Sequence, residues 1–126
     1  MFSNRKLVTL FSIGELFYFM FNIITRKTLL FYCKKYQKGA NALLEWYHEF
    51  KDDEFKSFQE LKAKYGNASL VDDNRVVFNI AGNHFRLVVR IGFKHKSVQI
   101  KWFGTHAEYD KIDVSTVKFN SNGKEK

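Results

Sequence analysis

The sequence predicts an α+β domain in which two to three N-terminal helices pack on one face of a twisted antiparallel sheet of four to five strands. Two observations support this prediction. Apolar residues recur at helical spacing between residues 26 and 65, whereas from residue 69 onward they alternate with polar residues in short β-branched runs. Helices that precede the strands, instead of alternating with them, are typical of α+β domains. A chain of 126 residues can form one such domain with a real core.

The start of the chain fits this domain poorly. Residues 7–21 form an apolar stretch after two basic residues, as in a short signal anchor. The stretch contains a glycine and a glutamate and is shorter than the roughly 20 residues that a spanning helix needs. A second explanation, which we favour, is that translation begins at Met20. We therefore expect residues 1–19 to be an extension of doubtful authenticity, residues 20–126 to form a single domain, and the protein to have no stable membrane association.

Three helices are predicted in the N-terminal half. The first covers residues 26–36 and ends near Gly39, because glycine commonly terminates helices. The second covers residues 40–50, whose apolar side chains fall on one side and whose charges fall largely on the other. The third opens with a capping box at residues 57–60 and continues through Tyr65.

Four strands are predicted after the helices, at residues 69–71, 75–80, 84–91 and 97–103. The connections between them are short and rich in turn-forming residues, as in β-hairpins. Strands joined by hairpins are antiparallel and lie side by side in chain order. The sheet should therefore be an antiparallel meander.

Side-chain alternation gives this sheet one apolar face, for the helices, and one basic face that should be left open. The alternation assigns Trp102 to the apolar face and Phe103 to the open face. Arg, Lys, Asn and Gln dominate the polar positions of the open face, with no acid among them: Arg75, Asn79, Arg86, Arg90, Gln99 and Lys101. Such a face suits phosphate, since the planar guanidinium of Arg binds phosphate in bidentate fashion and keeps its charge.

Composition indicates the same class of partner. The chain has 21 Lys and Arg against 13 Asp and Glu, a net charge of +8 and a pI near 9.6. It should be attracted to polyanions such as RNA, DNA, an acidic protein or anionic lipid. One cysteine, Cys33, cannot form an internal disulfide, which favours a reducing cytoplasm.

RNA cleavage by transesterification needs a group that takes the 2′-OH proton, positive charge on the crowded phosphate, and a proton for the departing 5′ oxygen. An arginine or lysine can supply the charge. His106 is the best candidate for proton transfer, and Tyr109 could share that role or stack on a base. His84 and His95 are weaker candidates that read as surface residues, and the His and Cys spacings match no zinc site, so we expect no metal or cofactor.

Two motifs carry a resemblance to a known family. The runs from Arg75 to Leu87 and from Thr105 to Asp110, the latter reading THAEYD, resemble the HigB toxins of bacterial toxin–antitoxin pairs, a branch of the RelE/ParE-like superfamily that cuts mRNA on the ribosome. The resemblance extends from about Met20 to about Asp113. It implies a RelE-like fold, an endoribonuclease acting on mRNA presented by the ribosome, and neutralisation by a HigA-like helix-turn-helix antitoxin. Operator DNA would be bound only through the antitoxin complex.

The resemblance places the GN-x-x-R and THAEYD stretches in the site, through Asn83, Arg86, His106 and Tyr109, while the remaining candidates come from the sheet face alone. We predict Arg86, His106 and Tyr109 as catalytic residues and, as RNA-binding residues, Arg75, Asn79, Asn83, Arg90 and Lys101. Two other functions remain open: a noncatalytic RNA-binding or ribosome-binding module, and a ParE-like gyrase inhibitor on the same scaffold.

Overall fold

The computed structural model describes residues 22–23, 26–72 and 74–119. The described chain contains four helices and five strands in the order β1 (Asn22–Ile23), α1 (Arg26–Lys35), α2 (Gln37–Phe50), α3 (Phe58–Lys64), β2 (Ser69–Val71), β3 (Arg75–Ile80), β4 (Phe85–Gly92), β5 (Ser97–Thr105) and α4 (His106–Tyr109). The predicted α+β class is confirmed. The proposed extension at residues 1–19 lies outside the described residues.

The sheet has the strand order β1-β5-β4-β3-β2. Strands β2 to β5 form the predicted antiparallel meander, and β1 pairs with β5 in parallel. Parallel neighbours require a long crossover connection. Here the crossover consists of the three helices and the first three strands of the meander, so the last strand returns beside the first.

The prediction that the first helix ends near Gly39 is wrong. The break between α1 and α2 lies at Tyr36, which has a nonhelical backbone conformation of φ −122° and ψ 76°, and Gly39 is a buried residue inside α2. A Cβ at this position would lie 2.9 Å from Phe85 Cε2 and 3.1 Å from Phe103 Cζ. The glycine therefore allows α2 to approach the sheet closely and does not stop a helix.

The main core lies between the helices and one face of the sheet, as expected. Aromatic rings dominate it: Trp46 stacks on Phe50 with centroids 5.1 Å apart, and Phe85 stacks on Phe103 at 5.2 Å. Each fully buried side chain of this size stabilises the fold by about 1.5–3 kcal/mol relative to exposure. Strands β3 to β5 contribute the opposing layer of Val76, Phe78, Ile80, Phe85, Leu87, Val89, Ile91, Val98, Ile100 and Phe103.

A β-bulge interrupts the pairing of β4 with β5. Val88 pairs with Trp102 and Val89 with Ile100, so Lys101 is an extra residue on β5. An extra residue reverses the alternation of side chains beyond it. Trp102 consequently lies on the second face and Phe103 in the main core, opposite to the sequence prediction for both residues.

The second face is only partly open, which corrects the prediction of a basic face left open. Val77, Val88 and Trp102 form a second apolar cluster that is covered by Val117, with Tyr109, Ile112 and Val114 packed at its margin. The covering chain follows α4 and is here named the C-terminal segment (residues 110–119). Arg75 fixes it to the sheet, because its Nη1 donates hydrogen bonds to the carbonyl oxygens of Val114 at 3.0 Å and Val117 at 2.7 Å.

We predict that Gly104→Ala destabilises the fold. A Cβ on Gly104 would lie 2.5 Å from Cη2 of Trp102, whose ring is buried beneath the C-terminal segment and cannot move aside. Overpacking of this kind costs about 1–3 kcal/mol in the free energy of unfolding, measurable by urea denaturation. Gly66→Ala is the matched control: a Cβ there meets nothing within 4 Å, and its effect should stay within about 0.5 kcal/mol. Equal effects of the two substitutions would contradict the packing argument.

We also predict that Arg75→Met loosens the C-terminal segment. Loss of two hydrogen bonds from a charged donor should lower the free energy of unfolding by about 1.5–3 kcal/mol. Hydrogen exchange of the Val117 amide, which donates to Asp113 O at 2.9 Å, should accelerate. Arg90→Met is the control, since exposed Arg90 pairs with Arg75 across β3 and β4 but lies outside the contact with the segment. Unchanged exchange in Arg75→Met would show that the segment is held by its apolar contacts alone.

Candidate functional site

The turn between β3 and β4 fixes the position of Arg86. Ala81 and Gly82 adopt left-handed conformations, with φ of 55° and 66°, which reverse the chain and place Asn83 beside Arg86. Nη2 of Arg86 donates to Asn83 Oδ1 at 2.8 Å, and Nη1 donates to the carbonyls of Asn83 and Phe85, both at 3.2 Å. Left-handed backbone is unfavourable for alanine, so Ala81 is strained in the turn that brings Asn83 to Arg86. The result is a guanidinium held in one orientation.

The start of α4 is fixed by a complete capping box. Glu108 N donates to Thr105 Oγ1 at 3.1 Å, and Thr105 N donates to Glu108 Oε1 at 3.0 Å. The Tyr36 hydroxyl donates to the same Oε1 at 2.8 Å and so ties the junction of α1 and α2 to α4. Burial would raise the pKa of Glu108, but the hydrogen bonds from Thr105 and Tyr36 and the charge of Lys35 lower it overall. The carboxylate that organises this helix is therefore ionised at neutral pH.

A hollow of about 670 Å³ opens between this turn and α4. The predicted residues Asn83 and His106 both line it. Arg86 is not one of the lining residues, but it is hydrogen-bonded to Asn83. His106 is about half exposed, with Nδ1 3.7 Å from Asp110 Oδ2. The complete lining is Lys38, Ala81, Asn83, His84, Phe85, Thr105, His106 and Ala107. The structure thus brings together the two motifs that the sequence placed in one site.

Two further residues line this hollow. Lys38 was not predicted from the sequence, and His84 was predicted only as a weaker candidate. Lys38 is an exposed lysine in the first turn of α2, and it reaches the hollow only because Gly39 lets that turn approach the sheet. Nothing in the local sequence distinguishes it from the other lysines of the helices. His84 could have been predicted from the sequence. It precedes β4, His106 follows β5, and residues at these matching ends of a hairpin lie side by side.

Tyr109 does not line the hollow. Its ring is half-buried against Trp102, with centroids 6.2 Å apart, at the margin of the second apolar cluster. Burial raises the pKa of Tyr109, and the nearby charge of Arg86 offsets part of that rise. The hydroxyl therefore remains protonated near neutral pH and can donate a proton or a hydrogen bond.

The remaining predicted residues divide between two places. Asn79 is the cross-strand partner of Arg86, but it lines two other hollows and not the one with Asn83 and His106. The residues near the β3–β4 turn and α4, namely Asn79, Asn83, Arg86, His106 and Tyr109, are here named the turn end. A second group lies about 13 Å away, four residues along β3, and is here named the basic end. It consists of Arg75, Arg90, Lys101 and Lys118.

The basic end is a group of like charges close enough to affect one another. Burial, together with the charges of Arg75, Arg90 and Lys118, lowers the pKa of Lys101. Lys101 is also the bulge residue of β5. A separate polar hollow of about 280 Å³ adjoins this end and is lined by Asn74, Arg90, Ile91, Gly92, His95, Ser97 and Gln99. Lys118 was not predicted, because it reaches the sheet only through the path of the C-terminal segment.

The described part of the chain contains neither a metal centre nor a membrane-spanning helix. Within it, no three His, Cys, Asp or Glu side chains are grouped so that they could hold a metal ion. Its helices include none with the length and apolar character needed to cross a bilayer.

Cys33 is a packing residue and not an activated nucleophile. Burial raises the pKa of its thiol, which contacts the Ala40 carbonyl at 4.0 Å.

Comparison with known proteins identifies the family. The family model for HigB toxins, described as the RelE-like toxic component of a toxin–antitoxin system, matches residues 39–112, which include the turn and α4. The mRNA interferase HigB of Escherichia coli O6:H1 is 30% identical over 81 residues, 63% of this chain and 79% of the relative. The mRNA interferase toxin HigB of Escherichia coli K12 and the mRNA interferase HigB of Shigella flexneri are each 30% identical over 91 residues, 71% of this chain and 88% of the relative. The chain therefore belongs to the HigB toxin family, the RelE-like toxic components of toxin–antitoxin systems.

Proposed function

We propose that this toxin is a cytoplasmic, metal-independent endoribonuclease that cleaves mRNA on the ribosome. The observation that carries the proposal is the hollow lined by both His106 and Asn83, because Asn83 also holds the guanidinium of Arg86. The relatives named as mRNA interferases support the reaction class. The net charge of +8 supports a polyanionic substrate.

The turn end can provide what the cleavage requires. A guanidinium that is already oriented stabilises charge developing on the phosphate without reorganising, and one such donor is worth about 10²–10³ in rate. Arg86 has this property because three hydrogen bonds hold it. Lys38 adds a second positive charge from the opposite wall of the hollow. His106 is the group that transfers a proton, and Tyr109, protonated at neutral pH, can donate a hydrogen bond.

The basic end would bind the RNA backbone at a distance from the cleaved bond. Arg90 is exposed and lies beside a polar hollow, and Lys101 is partly exposed on the same face. Nη1 of Arg75 already donates to two carbonyl oxygens of the C-terminal segment. Arg75 would therefore attract the RNA through its positive charge and not through hydrogen bonds from Nη1. Asn79, on the strand beside Arg86, would also bind the RNA.

The partner protein is proposed to be a HigA-like antitoxin with a helix-turn-helix domain. The family description names a toxin–antitoxin system, which supports a protein partner that neutralises the toxin. Operator DNA would be recognised by the antitoxin and would reach the toxin only in the complex.

We predict that His106→Ala removes cleavage but retains RNA binding. Loss of a positioned proton-transfer group should lower the rate of mRNA cleavage by about 10²–10⁴-fold. The rate is measured by mapping new mRNA 5′ ends in a reconstituted translation reaction, with and without ribosomes. Affinity for the ribosome–mRNA complex should change little, because His106 is one exposed residue among many cationic contacts.

His48→Ala is the control, since His48 is exposed on α2 and does not line the hollow. A chain that binds ribosomes yet produces no new 5′ ends would be a binding module and not a nuclease. Broken DNA with intact mRNA would identify a gyrase-directed toxin.

We predict that Arg86→Ala lowers cleavage by about 10²–10³-fold, the effect of losing one preorganised donor. Arg86→Lys should recover little, since lysine keeps the charge but lacks the planar fork that three oxygen atoms now hold. Induced expression with mapping of mRNA 5′ ends measures the effect in cells. Arg26→Ala, an exposed residue on α1, should leave both growth arrest and the new 5′ ends intact. Growth arrest by Arg86→Ala at the full rate would exclude this residue from catalysis.

A further inference from the structure

Two imidazoles face the same hollow. His106 N donates to His84 O at 2.9 Å, one position beyond the Phe85–Thr105 pair, so the ladder between β4 and β5 continues to these histidines. Residues directly opposite each other in such a ladder have Cβ atoms about 4.5–5.5 Å apart. Both histidines are exposed and both line the hollow. The two histidines are therefore neighbours in the chain fold and share one hollow.

The surroundings of this pair favour an anionic ligand. Lys38 lines the same hollow from α2, and none of the described residues that line the hollow is acidic. The nearest carboxylate to His106 is Asp110, on the α4 side, 3.7 Å from Nδ1. Nε2 is therefore the nitrogen of His106 on the far side of the ring from that carboxylate. His84 thus shares the hollow with a second imidazole, a lysine and the amide that holds Arg86.

The chemistry of cleavage also requires a second proton-transfer group. The 2′ oxygen forms a bond to phosphorus as its proton leaves, and the bond from phosphorus to the 5′ oxygen breaks as that oxygen gains a proton. The products are a 2′,3′-cyclic phosphate and a 5′-hydroxyl end. Tyr109 is poorly suited to accept the first proton, since it lies outside the hollow and stays protonated near neutral pH. His84 has the position and the chemistry that Tyr109 lacks.

We propose that His84 is a catalytic residue and forms, with His106, the acid–base pair of the reaction. This inference rests on the proposed ribonuclease function. One imidazole accepts the 2′-OH proton while the other, protonated, gives its proton to the 5′ oxygen. Arg86 and Lys38 stabilise the charge on the phosphate between them.

The test is the pH dependence of cleavage by the intact chain and by His84→Gln, under single-turnover conditions on ribosome–mRNA complexes. A pair of acid and base gives a bell-shaped profile for the intact chain. His84→Gln should lower the maximal rate by about 10²-fold or more and should remove one limb of the bell. If the missing limb is that of the acid, a substrate with sulfur in place of the 5′ oxygen should restore the rate, because thiolate departs without a proton.

His48→Gln is the matched control and should leave the rate and both limbs unchanged. The thermal midpoint of His84→Gln should equal that of the intact chain, since His84 is exposed; if it falls, His84→Asn provides the second variant. A rate within about threefold of the intact chain, with both limbs present, would overturn the assignment of His84. Failure of the ribonuclease function itself is distinguishable, because then the intact chain would generate no new mRNA ends.

Discussion

The bulge at Lys101 is the constraint on which much of the molecule depends. One extra residue in β5 turns Trp102 to the second face, where it supports the C-terminal segment, and returns Phe103 to the main core beneath Gly39. Bulges bend a strand and increase its twist, and they commonly occur where a side chain must be re-aimed. Here the residues that follow the bulge lead directly into the capped helix with His106. The bulge therefore determines which aromatic side chain enters each core, and it sets the direction in which β5 leads into α4 and His106.

The candidate site depends on a chain of positioning contacts that begins at the junction of α1 and α2. Tyr36 breaks the helical pair and donates to Glu108, and Glu108 completes the cap of α4. On the other wall, Ala81 and Gly82 accept left-handed backbone so that Asn83 can hold Arg86. Arg86, Thr105 and Glu108 are thus each oriented by the backbone or by another side chain. Such preorganisation is what an electrostatic catalyst requires.

Much of the fold could be predicted from periodicity, because alternation and turn residues are local properties of the chain. The bounds of β2 and β3 were predicted correctly, whereas the hydrogen bond between Asn83 and Arg86 emerged only from the structure. The bulge could not be predicted, since Trp102 and Phe103 are both aromatic and either face suits either ring. The roles of Gly39, Lys38 and Lys118 depend on what packs opposite them, which no local pattern records.

The basic end has a consequence for how the toxin responds to ionic strength. Four cations placed close together repel one another, and dissolved salt screens that repulsion. Salt should therefore stabilise the folded toxin when it is free. Added salt also weakens the binding of these cations to a phosphate backbone, because the release of counterions into a concentrated salt solution yields less free energy. Stability and RNA affinity should accordingly change in opposite directions as salt rises, with nucleic-acid phosphates adding to Asp72 and Asp113 as counterions of this group.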